Sequence, residues 1–200
     1  GRETVSRVIG GAVAQMLVQQ LCPQVQVQAF TSAIGGIALS AAEIEQAVES
    51  LGQEPGSVDH FSLRCPNAAK NLAMEQLLKA TKAEGDSCGG IGTIIIHQPP
   101  KHLGQPVFGK LKNSLASAFM SIGATIGFEI GEGFAAAAQT GGVFHGVEQD
   151  YGGLRGGLST GSPIYIKVAF KPTSSVKELA KQGRHDPCIV PRALPVLEAM

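Results

Sequence analysis

The stretch Gly85-Asp86-Ser87-Cys88-Gly89-Gly90-Ile91-Gly92-Thr93-Ile94-Ile95-Ile96 decides how this chain is built. Upstream of it, after Pro66, a helical pattern runs from about Ala68 to Ala83, with Leu72, Leu77 and Leu78 as its core contacts. Gly85 then stands where a helix stops, because glycine tolerates the left-handed conformation that follows a last turn. Immediately afterwards Ile91, Thr93, Ile94, Ile95 and Ile96 give the β-branched density of a strongly buried strand. Helix and buried strand therefore alternate within one short span.

The same alternation continues outward. Val5, Val8, Ile9, Ala12, Val13, Met16 and Leu17 fall at helical spacing, and Cys22-Pro23 ends that run. Val25, Val27 and Ala29 alternate with Gln24, Gln26 and Gln28, the period of a half-buried strand. Ser40 with Glu43 fits a capping box that opens a helix through Leu51. Downstream, 101–106 reads as loop, Leu111, Leu115, Ala118 and Phe119 as a helical stripe, and Phe128 to Ala135 as strand. A glycine-rich region from Gly141 to Gly161 precedes a strand carrying Ile164, Ile166, Val168 and Phe170, which Lys171-Pro172 closes. A short helix begins near Pro191. Neither a repeat nor a linker is visible, and one α+β domain over residues 1–200 is the economical reading.

Composition narrows the function classes. Hydrophobic residues make up 44% and charged residues only 16%, so a substantial core is expected, filled by aliphatic side chains in the absence of tryptophan. Sixteen basic residues balance sixteen acidic ones, which removes the electrostatic footprint of a general nucleic-acid binder while leaving room for a small anionic ligand. Cys22, Cys65, Cys88 and Cys188 are too widely spaced for local zinc-ligand pairs, and no metal site is expected. They are read as reduced thiols of a cytoplasmic compartment. The longest apolar runs fall short of the roughly 20 residues a membrane span needs, and no secretory signal is visible. Gly1 stands where an initiator methionine is expected, so the chain is read as beginning inside a longer protein.

Three segments could carry chemistry. Lys171-Pro172-Thr173-Ser174-Ser175 puts one ammonium and three hydroxyls at a strand exit, a donor set suited to phosphate and equally to a capped turn. In Gly183-Arg184-His185-Asp186-Pro187-Cys188, Arg184 can grip a phosphate with its planar fork and Asp186 can accept a proton, although a surface ion pair would look the same. The paired glycines of Tyr151-Gly152-Gly153-Leu154-Arg155-Gly156-Gly157-Leu158-Ser159-Thr160-Gly161 allow close approach to a flat ligand or phosphate, and also serve tight turns. They match neither the Walker pattern nor a dinucleotide fingerprint.

In this order the segments resemble the chorismate synthase family. The resemblance begins at Gly1-Arg2-Glu3-Thr4 and includes Arg64-Cys65-Pro66, Glu84 to Gly90, Gly104-Gln105-Pro106-Val107-Phe108, Met120-Ser121-Ile122, Glu129-Ile130-Gly131-Glu132-Gly133-Phe134 and Ala169 to Ser175. It closes on Gly183-Arg184-His185-Asp186-Pro187-Cys188-Ile189-Val190-Pro191-Arg192-Ala193, its most specific motif, with Pro195 and Glu198 beyond. It implies a β-α-β sandwich with antiparallel sheets flanking helices, assembled as a homotetramer. It also implies the anti 1,4-elimination of phosphate from 5-enolpyruvylshikimate 3-phosphate to give chorismate, a lyase step of the shikimate pathway. That step requires reduced FMN, which transiently donates an electron as phosphate leaves. Cationic groups stabilise the developing charge, while the flavin carries the chemistry.

Matched position by position, the resemblance implies flavin contacts at Gly123, Ala124, Gly156, Lys171, Pro172, Thr173, Ser174, Ser175 and Arg184. Arg2 corresponds to a substrate contact, and Asp186 to the aspartate implicated in proton movement near the flavin. His185 and Arg192 keep ordinary structural readings. The family's N-terminal region, with both catalytic histidines, has no counterpart here, so the 200 residues alone are expected to be inactive. Gln149-Asp150-Tyr151 stand where the family commonly has Asn and Ala, and the stretch from Ser175 to Gly183 is shorter than the usual family loop. These departures keep a second reading open, a binding or structural module that retained the fold. A conventional flavin oxidoreductase is a third. Some family members reduce their flavin with NADPH, and no sequence marker decides this here. A plant-type precursor would place the protein in a plastid.

Overall fold

A computed structural model describes residues 2–181 and 185–200. Chain order gives helix α1 (Arg2–Leu21), strand β1 (Gln26–Ile34), strand β2 (Ile37–Ala38), helix α2 (Ala41–Gln53), helix α3 (Ala68–Ala83), strand β3 (Gly90–His97) and helix α4 (Leu111–Met120). Strand β4 (Thr125–Ile130), the short helix α5 (Gly141–Phe144), the two-residue strands β5 (Leu154–Arg155) and β6 (Leu158–Ser159), strand β7 (Ile164–Phe170), the short helix α6 (Glu178–Lys181) and helix α7 (Val190–Ala199) follow.

Five strands form one sheet in the order β2-β1-β3-β7-β4, with every pairing antiparallel. The isoleucine run lies in β3 at the centre, where Ile94 and Ile95 are fully buried. Burial alternates strictly along β7, so Ile164, Ile166, Val168 and Phe170 face the core while Tyr165 and Lys167 are half-buried. Helix α7 packs on β1 and β3, α4 on β4, and α1 on α7. Gly92 leaves room for the first of these contacts, since a Cβ there would sit 2.8 Å from Leu197 Cδ1. The α+β architecture of antiparallel sheet and packed helices is the one the sequence led us to expect.

Local signals explain most boundaries. Ser40 and Glu43 form the capping box at the start of α2, each satisfying a backbone N–H of the other. Gly85 follows α3 with φ +66. Two expectations need correction. Leu72 is exposed, whereas Asn71 and Met74 are the buried residues of α3. The Asn71 amide is satisfied there, accepting from Leu63 N and donating to Ser62 and Glu75, so a polar side chain takes a core position. The strand expected over 128–135 instead runs from Thr125 to Ile130. Gly131 and Gly133, both at φ +59, turn the chain into a 3-10 segment, and Glu129 accepts the N–H of Phe134.

The exposed edge of β1 is capped without another full strand. Ala29 donates its N–H to Glu198 of α7 at 2.8 Å, and Thr31 donates to Arg64 O at 2.9 Å. Arg64, at φ +52, also places its guanidinium 2.8 Å from Glu198 and 2.9 Å from Asp59. The Arg64-Cys65-Pro66 motif thus fixes one end of α7, the helix that follows the Asp186 segment.

Candidate functional site

Strand β7 delivers Lys171 to the top of the sheet, beside the turn between α4 and β4. Phe170 pairs with Thr125, and Lys171 donates its N–H to Ala124 O at 3.0 Å. Ala124 adopts φ +71, a conformation rare for a residue with a side chain, which directs its carbonyl to this bond. Gly123, Ala124 and the segment 171–175 therefore share one edge. Lys171 and Ser174 are exposed, whereas Thr173 and Ser175 are half-buried.

Two further segments close on this exit. Thr173 donates its hydroxyl to Asp186 O at 2.8 Å, and Ser87 donates its hydroxyl to Thr173 O at 2.7 Å. His185 Nε2 lies 2.9 Å from Asp86 O, and Cys88 donates its N–H to Pro187 O at 2.8 Å. Because a carbonyl can only accept, His185 carries its proton on Nε2. Gly89 is required where these chains cross, since a Cβ there would lie 2.4 Å from Phe170 O. Segments far apart in sequence thus form one layer: 86–89, 171–175 and 185–188.

The bond from Thr173 changes its role. Its single hydroxyl proton is used on Asp186 O, so the side chain braces two segments rather than donating to a phosphate. Lys171, Ser174 and Ser175 keep the donor chemistry a phosphate monoester requires. This set fits the phosphate of FMN by charge and donor type. The Asp186 carboxylate is engaged by the Arg192 guanidinium from the first turns of α7. The sequence reading left Arg192 with an ordinary structural role. Its signal is the placement of a cation just inside a helix that an aspartate precedes.

Within the layer, Cys88 is half-buried and Cys188 is buried. Burial pushes the Cys188 thiol up to about 12 and raises Cys88 above its ordinary value. Both stay protonated near neutrality, as packing residues rather than nucleophiles. Among the described residues no group of three or more His, Cys, Asp or Glu could hold a metal ion.

Gly156 lies elsewhere. The turn between β5 and β6 uses Gly156 at φ +59 and Gly157 at φ +90, the conformation a two-residue hairpin demands. Leu111, at the start of α4, donates its N–H to Gly157 O at 2.8 Å. Gly123 and Ala124 follow the other end of that ten-residue helix, which at about 1.5 Å per residue spans about 15 Å. A cavity of about 310 Å³ opens beside Gly156, lined also by Lys110, Phe144 and Tyr151. Tyr151, one of the departures noted above, stacks under the Arg155 guanidinium at 4.3 Å and meets His145 Nδ1 through its hydroxyl at 2.5 Å. Arg2 opens α1, and Arg184 lies outside the described residues.

Comparison with known proteins follows the same pattern. The family model for chorismate synthase matches residues 1–200. A chorismate synthase of Bdellovibrio bacteriovorus is 50% identical over 201 aligned positions, covering all of this chain and 57% of the relative. One from Synechococcus sp. (strain RCC307) is 39% identical over 224 positions, covering all of this chain and 60% of the relative. A crystal structure of chorismate synthase superposes with a TM-score of 0.83 at 28% identity, over 99% of this chain and 60% of that one. The chain thus spans somewhat under two thirds of the length of these relatives. The family model spans all 200 residues and these relatives cover the chain end to end: this chain belongs to the chorismate synthase family.

Proposed function

We propose that the protein containing these residues eliminates phosphate from 5-enolpyruvylshikimate 3-phosphate to give chorismate, with reduced FMN held at the layer formed by 86–89, 171–175 and 185–188. The supporting observation is the bridge from Thr173 to Asp186, which joins the phosphate-type donors to the acidic segment across the intervening connection. When bound there, reduced FMN would supply the electron density that lets phosphate depart. This chain's own residues have simpler tasks. Lys171, Ser174 and Ser175 hold the cofactor's phosphate, joined by Arg184, while Pro172 fixes the strand exit. Gly123 and Ala124 offer backbone at the adjoining edge. Asp186, oriented by Arg192, accepts or relays a proton, and Arg2 contacts substrate.

Gly156 stands at the opposite end of α4 from Gly123 and Ala124, and a homotetramer in which a neighbouring copy presents it to the same cofactor is the arrangement we favour. The exposed Val5, Ile9, Val13, Met16 and Leu17 of α1 are in keeping with an assembly larger than this chain. Unpaired Cys22, Cys65, Cys88 and Cys188 suit a reducing, cytoplasmic compartment. No helix among the described residues is long and apolar enough to cross a membrane.

The test is an assay of the full-length protein with substrate and reduced FMN. Chorismate should form, and Asp186→Ala should lower turnover by tenfold or more while changing FMN affinity less. An unchanged rate removes Asp186 from the mechanism, and absence of chorismate from the wild type defeats the reading. The 200 residues alone should give little product.

A further inference from the structure

The segment after the phosphate-type donors is tied down in an unusual way. Lys177 adopts φ +55, a left-handed conformation that side-chain-bearing residues occupy only when their surroundings hold them there. What holds it is a backbone bond: Lys177 donates its N–H to Gly85 O at 2.6 Å. Gly85, itself left-handed beyond the end of α3, turns its carbonyl toward Lys177, and an added Cβ at Gly85 would contact the Lys177 backbone at 3.7 Å. Between this clasp and Thr173, Val176 donates its N–H to Ser174 O. On the other side of the donors, Thr173 is bonded to both Ser87 and Asp186. Ser174 and Ser175 are therefore bracketed by Thr173 and Lys177, each fastened onto the α3–β3 connection.

The length of the chain at this point gives the clasp a purpose. The resemblance implies a longer loop between Ser175 and Gly183 than this chain carries; alignment of all 200 residues takes 201 positions with the Bdellovibrio relative and 224 with the Synechococcus one. A long loop must be ordered when it closes on a ligand, and that ordering opposes binding.

We propose that Lys177 is a positioning residue for the cofactor phosphate, acting through its backbone. By clasping the short connection to Gly85, it holds Lys171, Ser174 and Ser175 in binding geometry before any ligand arrives. This inference rests on the assignment of 171–175 to the flavin phosphate. The Lys177 ammonium has no part in it.

Titration of the full-length protein with FMN and with riboflavin, which lacks the phosphate, tests the idea. Lys177→Pro removes the N–H and forces negative φ, and should weaken FMN at least tenfold while riboflavin changes less than twofold. Lys177→Gly keeps the N–H and adopts positive φ readily, so FMN affinity should stay within twofold of wild type. Equal loss of both flavins in the proline variant, or a glycine variant as weak as the proline one, overturns the proposal. Wild-type protein that binds FMN no better than riboflavin would instead sink the phosphate assignment itself. A measurement without substitution guards against misfolding. Hydrogen exchange of the segment 173–180 should show protection before FMN is added, and protection that arises only with FMN contradicts a prebuilt site.

Discussion

The two ends of α4 carry glycine-marked segments that the family resemblance assigns to one cofactor, and they are built differently. At the C-terminal end, Gly123 and Ala124 lie against Lys171, and the layer around Thr173 is cross-bonded by Ser87, Asp186 and Pro187. At the N-terminal end, Gly156 sits on a hairpin turn with nothing within 4 Å of where a Cβ would be. The first region gathers its donors and their braces within one chain. The second is an open turn that stands apart from them. Neighbours in a motif series need not be neighbours in the fold.

Substitutions at the two ends should separate these roles. The largest effect is expected from Lys171→Ala, which removes the one cation among the described phosphate-type donors. FMN affinity should fall by tenfold or more with riboflavin binding retained, since a bond to a charged partner is worth about 1.5–3 kcal/mol. Equal weakening of both flavins would detach Lys171 from the phosphate. Next comes Gly131→Ala, beside the hairpin end. A Cβ there would lie 2.2 Å from Asp150 O on a backbone at φ +59, so chemical denaturation should show about 2–4 kcal/mol lost. Gly156→Ala meets no neighbour and should lose only about 1 kcal/mol, the penalty of positive φ. If a neighbouring copy brings this turn to the flavin, the same substitution should weaken FMN out of proportion to that small loss. Binding that tracks stability would leave Gly156 a turn residue alone.

The smallest effect concerns pH at the far end of β3. Burial lowers the affinity of His97 for a proton below its ordinary value of 6.5, and its Nε2 is buried without a hydrogen-bond partner. The unfolded chain therefore takes up the proton first as pH falls. His97 should cost no stability above pH 6.5 and a growing amount below it, and His97→Gln should remove that part of the slope. An acid slope identical in the variant would exclude His97 as its source.

Much of the fold was legible because periodicity and punctuation agreed. The isoleucine run, the Ser40–Glu43 box and Gly85 each name a local structure with a physical cause, and each is found where the pattern put it. Helix α3 shows the limit. Spacing identified a helix, but its buried face includes Asn71, whose bonds to Leu63 and Ser62 reach a loop that periodicity does not describe. The strand expected past Ile130 failed for a related reason. The apolar residues continue while two left-handed glycines change the backbone beneath them. In the candidate site, residue types pointed to Lys171 and Asp186, but Arg192 and Lys177 did not stand out. Arg192 matters through an ion pair formed by the turn before α7, and Lys177 through a backbone bond that leaves no mark on residue type.

The central claim is that Lys171–Ser175 and the Asp186 segment form one flavin-phosphate site. Its most direct test is a crystal structure of the full-length protein with FMN. Phosphate oxygens are expected within about 3 Å of donors on Lys171, Ser174 or Ser175, with the flavin ring toward Asp186. A phosphate bound away from this layer, with those donors facing only solvent, would contradict it.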